Sequence, residues 1–125
     1  MAKVKGINVV FMYVLDMAKT RKFYEAVFDL GKPVVDAKWW VEYAVGEGSH
    51  LALHLVDPQH VQNAGLGHGA VRFSIEVDDI NAFTTKLKDL GTSFRYEPRK
   101  EYGFWLAEFE DPEGNAVRLF QKIAK

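Results

Sequence analysis

At 125 residues the chain fits one compact domain or two half-domains sharing a core, and its 48% hydrophobic and 26% charged content is that of a globular protein. A net charge of -1 leaves no basic footprint for nucleic acid, and the absence of cysteine removes disulfides, thiolate zinc sites and a cysteine nucleophile. Residues 1–6 have no apolar core of signal-peptide type, and no apolar run approaches the roughly 20 residues of a membrane span, so a soluble, cytoplasmic protein with no membrane partner is expected.

In chain order, Ile7 to Leu15 is almost wholly apolar and rich in Val, Phe and Tyr, which predicts a strand buried on both faces. Asp16 is placed to N-cap a helix over Met17 to Leu30, whose apolar Phe23, Tyr24, Val27, Phe28 and Leu30 fall on one stripe, with Gly31 at its C-terminal stop. Strands are predicted at Pro33–Ala37, Trp39–Val45 and Leu51–Val56, the last two joined through the turn Gly46-Glu47-Gly48. The segment 59–69 has three glycines, two histidines and little apolar pattern, and reads as a linker.

The plan then repeats. Ala70–Val77 is a strand, Asp79 a cap, and Ile80–Leu90 a helix with Ile80, Phe83, Leu87 and Leu90 on one side. Ser93–Glu97, Phe104–Glu110 and Ala116–Gln121 are strands, and Asp111-Pro112-Glu113-Gly114-Asn115 carries turn chemistry, with Pro presetting φ and Gly or Asn accepting a positive one. Both halves run from an apolar strand through an acidic residue into a helix that ends in Leu-Gly, at Leu30-Gly31 and Leu90-Gly91. Such a repeat sets the architecture. The fold class is α+β, with two βαβββ modules at residues 5–58 and 70–123, a linker at 59–69 and one domain over 1–125.

Val14-Leu15-Asp16-Met17 leading to Phe23-Tyr24, together with Phe109-Glu110-Asp111-Pro112-Glu113-Gly114-Asn115, resembles the vicinal oxygen chelate superfamily of glyoxalases, bleomycin-resistance proteins and extradiol dioxygenases. The resemblance covers about Ile7 to Gln121 and is a signature of fold more than of activity, since one scaffold hosts many chemistries. It implies a cupped mixed sheet, a homodimer, and, in the enzymes, a divalent metal bound from the first and last strand of each module. Carried over by position, those ligands fall on Val9, His54, Arg72 and Arg118, with Val9 matched to Arg72 and His54 to Arg118 across the repeat.

Of these only His54 can bind a metal, because valine has no lone pair and an arginine guanidinium keeps its charge and accepts nothing. His50 lies four residues from His54, roughly 13 Å along a strand and too far for shared chelation. The cup is therefore expected to hold no cofactor and to bind a small molecule. Arg72 and Arg118 suit an anion, unless Glu76, Glu42 or Glu108 pairs with them internally. Phe11 and Tyr13 share a face with Val9, and with Trp40 or Trp105 they offer walls for a planar ligand. The alternative is a metal-dependent lyase, isomerase or dioxygenase whose site has moved to His54 and a glutamate such as Glu42. A metal-independent enzyme with His54 as acid/base is a third possibility.

Overall fold

The computed structural model describes residues 3–5, 7–59, 72–101 and 103–123. The chain divides into two compact units, Met1–Gly65 and Leu66–Lys125. The boundary falls inside the span 59–69, nearly all of which lies outside the described residues, as do His60 and His68.

The first unit runs β1 (Val10–Val14), α1 (Met17–Phe28), β2 (Val35–Asp36), β3 (Trp40–Val45) and β4 (Ser49–Leu55), with its four strands ordered β1-β4-β3-β2. β1 runs parallel to β4 and the other neighbours are antiparallel. The helical crossover permits the parallel pair, whereas the tight turn at Gly46–Gly48 permits only an antiparallel one. The second unit runs β5 (Phe73–Glu76), α2 (Ile80–Asp89), β6 (Phe94–Glu101), β7 (Phe104–Glu110) and β8 (Ala116–Lys122), in the corresponding order β5-β8-β7-β6.

Each helix starts where the sequence places a cap. Asp16 Oδ1 accepts from the Lys19 amide at 3.0 Å, and Asp79 Oδ1 from the Ala82 amide at 3.1 Å. The ends come earlier than the apolar stripe suggests. Asp29 takes the left-handed conformation at φ 50, so α1 stops at Phe28, before Leu30. Leu90 is 53% exposed as the cap of α2, and the chain reverses there through Gly91 at φ 77.

In both units one sheet face packs on the helix and forms the core. Val41 and Tyr43 of β3 and Leu51 and Leu53 of β4 are buried, as are Ala107 and Phe109 of β7 and Val117 and Leu119 of β8. The expectation that the first strand is buried on both faces is corrected. Met12 and Val14 are buried, but Phe11 on the other face is 44% exposed. The turn at 111–115 is organised by a side chain as well as by Gly114 at φ 84. Buried Asp111 accepts through Oδ1 from the amides of Glu113 and Asn115, both at 2.9 Å. No helix among the described residues is long and apolar enough to cross a membrane.

Candidate functional site

The sheet face away from the helix carries the unusual chemistry, and it differs between the units. In the first, strand pairing sets Tyr13 beside His54 and His54 beside Trp40. Phe11 lies 5.1 Å from Trp40 and 6.2 Å from His54 between ring centroids, with Tyr13–His54 at 5.7 Å and Trp40–His54 at 5.5 Å. The rings are tilted or edge-on, the arrangement their quadrupoles favour. Within this cluster His54 Nδ1 is buried and has no hydrogen-bond partner among the described residues. Phe11, Tyr13, Trp40 and His54 are thus brought together. Trp39, one residue out of step with Trp40, is 55% exposed and has the Lys38 ammonium over its ring. Val9 precedes β1 and is half-buried.

Beside the aromatic cluster, Glu42 pairs with Ala52. Its Oε1 accepts from the Trp40 indole at 2.9 Å, and its Oε2 lies 2.5 Å from His50 Nδ1. The bond from His50, and then that from Trp40, hold the Glu42 carboxyl below the usual carboxylate range. Both oxygens are thereby occupied, which leaves Glu42 poorly placed to join His54 at a metal.

In the second unit the same face is cationic. The Glu108 side chain is 7% exposed and has three guanidiniums round it: Arg72 Nη1 at 2.9 Å, Arg118 Nη2 at 3.8 Å and Arg95 Nε at 3.9 Å. Arg72 stands just before β5, and Arg118 pairs with Glu108 across β7 and β8. Arg95 arrives by a different route. Phe94 pairs with Phe109 and Tyr96 with Glu108, so β6 carries an extra residue there, and this bulge turns Arg95 towards Glu108. Strand alternation gives no hint of such a bulge, and sequence reasoning missed Arg95 for that reason. Of the glutamates expected as internal partners of the arginines, Glu108 is the one that takes the place. Glu76 instead pairs with Lys122 at 3.7 Å.

Two expectations need correction. Trp105 pairs with Gln121 and alternates with Glu108, on the face of buried Ala107 and Phe109, so it does not join the arginine face. The matched positions of the repeat also change. Val9 and Arg72 both stand seven residues before a capping aspartate. Because Tyr13 pairs with His54 while Glu76 pairs with Phe120, that match puts His54 opposite Phe120 and makes Ala52 the counterpart of Arg118. By the same register Glu42 is the counterpart of Glu108.

The four positions that the resemblance assigns to metal ligands do not fit a divalent cation. Val9 has no donor atom, Ala52 has none where His54 was expected, and Arg72 and Arg118 are cations gathered on a carboxylate. Among the described residues no three histidine, aspartate or glutamate side chains lie close enough to hold a metal ion.

Three comparisons bear on this geometry. The family model described as Glyoxalase/Bleomycin resistance protein/Dioxygenase superfamily matches residues 6–119. The metallothiol transferase FosB of Bacillus licheniformis is 30% identical over 123 residues, which span 94% of this chain and 75% of that protein. Among solved structures, lactoylglutathione lyase from Agrobacterium tumefaciens is 25% identical with a TM-score of 0.72, covering 95% of each chain. A glyoxalase/bleomycin resistance protein/dioxygenase family enzyme from Burkholderia phytofirmans is 16% identical with a TM-score of 0.76, over 93% of this chain and 98% of that one, a likeness of fold alone.

Proposed function

The chain belongs to the glyoxalase/bleomycin resistance protein/dioxygenase superfamily, and within it we propose a metal-free small-molecule-binding protein that recognises anionic and planar groups. The observation that carries this reading is the gathering of three guanidiniums on the buried carboxylate of Glu108. Glu108 neutralises one positive charge, and like charges held this close call for a further negative partner. Guanidinium forks bind carboxylates and phosphates bidentately, and all three side chains remain 40–54% exposed, open to a ligand. On the first unit, Phe11, Tyr13 and Trp40 supply apolar surface suited to planar groups. A homodimer is part of the proposal, to be checked by light scattering.

A thermal-shift panel of small carboxylates, phosphates and sulfate tests the anion site. A binder raises the melting temperature by mass action, and Arg72→Ala or Arg118→Ala removes the response. A panel without any response leaves Glu108 as a purely internal partner and overturns the reading.

The second reading is a metal-dependent lyase, isomerase or dioxygenase with its site moved to His54 and Glu42. The likeness to a metallothiol transferase and the unpartnered Nδ1 of His54 favour it. The engagement of both Glu42 oxygens speaks against it. Stoichiometric uptake of zinc, nickel, manganese or iron that His54→Ala abolishes would establish this reading in place of the first.

A further inference from the structure

Resting on the anion reading above, we propose that the arginine face of the second unit is built for an oxyanion carrying two negative charges, and that Arg95 sets this preference. The first argument is a charge count. Arg72, Arg95 and Arg118 bring three positive charges against one negative charge on Glu108, so the cluster keeps a surplus of two. The other charges of β6 and β8 on this face are already answered, Arg99 by Glu101 at 3.2 Å and Lys122 by Glu76 at 3.7 Å. A monoanion would leave one guanidinium uncompensated, whereas a dianion balances the cluster.

The second argument is donor capacity. Among the described residues only Arg72 makes a hydrogen bond to Glu108, at 2.9 Å. Arg118 and Arg95 stand at 3.8 and 3.9 Å, an electrostatic distance that leaves their N–H groups unspent on Glu108. They belong to different strands, so their forks converge on the carboxylate from separate sides. Such an arrangement suits an oxyanion with several acceptor oxygens.

The third argument concerns Arg95 itself. A regular strand would alternate it to the face opposite Tyr96, yet the bulge places both residues against Glu108. At the same bulge, the Tyr96 ring lies under the Arg99 guanidinium at 4.0 Å, and its hydroxyl is buried without a partner among the described residues. The irregularity delivers the third positive charge, which is the one that takes the surplus from one to two.

The test is calorimetric titration of the full chain at low ionic strength with sulfate, methyl phosphate and malonate, against acetate and methanesulfonate. Dianions should bind about tenfold more tightly than monoanions, the scale of one further charge pairing near a surface. Arg95→Ala should abolish that preference, bringing the dianions down to the affinity of the monoanions, and Arg95→Lys, which retains the charge, should keep most of it. Methyl phosphate should bind more tightly at about pH 7.5 than at about pH 5, since its second ionisation lies near pH 6, while sulfate should not change. Equal affinity for both charge classes, or a preference that survives Arg95→Ala, overturns this inference and leaves the anion reading standing. Failure of every anion to bind overturns the anion reading itself.

Discussion

The two units share one strand order, and the register of β1-β4-β3 matches that of β5-β8-β7, yet the faces they turn away from their helices are chemical opposites. Counterpart positions make this concrete. Val41 and Tyr43 correspond to Ala107 and Phe109, and Leu51 and Leu53 to Val117 and Leu119, all buried. On the other face Glu42 corresponds to Glu108, a carboxylate at the same place on the third strand. Glu42 is answered by an imidazole and an indole, and Glu108 by guanidiniums. The core constrains size and polarity, so both units satisfy it with similar side chains. The other face carries no helix of its own unit among the described residues, and there the same pleat supports a ring cluster in one case and a cationic cluster in the other.

The largest effect should come from the shared core. Phe109→Ala should cost about 3–5 kcal/mol, as expected for an emptied aromatic site, and is read as a lower denaturation midpoint. At its counterpart, Tyr43→Phe keeps the ring and removes only the hydroxyl that donates to Glu25 at 2.5 Å, so its cost should be about 1 kcal/mol. Comparable losses at the two positions would break the correspondence. Burial, and then the bond to Glu25, push the Tyr43 hydroxyl well above its usual range.

The next effect contrasts the two glutamates. Glu108→Gln leaves the guanidiniums without a counter-charge and should destabilise the chain by about 1–3 kcal/mol at low salt, with sulfate restoring much of the loss. Glu42→Gln should show no recovery with sulfate. A similar salt response in both variants would mean that the faces do not differ in charge as described.

Smaller, and equal, effects are expected at the caps. Asp16→Ala and Asp79→Ala should each cost about 1 kcal/mol in chemical denaturation, because each removes one side-chain acceptor from a helix start. The smallest effect is in pH. Glu42 titrates below its ordinary value of 4.5 in the folded chain because His50 and Trp40 bind its ionised form. Its contribution to stability is present above that value and is lost as pH falls through the lower folded one. His50→Ala should therefore flatten the melting-temperature profile below about pH 4.5, whereas a substitution at Ala52 to Ser should leave the slope alone.

Much of the scaffold can be read from residue order because its causes are local. Asp16 and Asp79 cap helices whatever surrounds them, and β7 matches the predicted Phe104–Glu110 because its turn residues bound it on one side. The site is less legible. Phe11, Tyr13, Trp40 and His54 lie together because simple alternation and pairing hold through β1, β3 and β4. Alternation also excludes Trp105, but only once β7 is anchored by its pairing with β8. The match of His54 with Arg118 failed because strand offset depends on which residues bond across the sheet, and a two-residue shift leaves the apolar pattern intact.

The sequence by itself determined the α+β repeat and the helix starts, since these follow from local propensity, while the superfamily, and with it the ligand positions at which Val9, Arg72 and Arg118 offer no donor, came from its resemblance to known proteins. Only the tertiary structure decided that Ala52 stands opposite Arg118 in the repeat, that Glu42 belongs to His50 and Trp40, and that a bulge adds Arg95 to Glu108. Those facts depend on which strands pair and where one of them takes an extra residue, and pairing is a property of two segments that neither segment encodes alone.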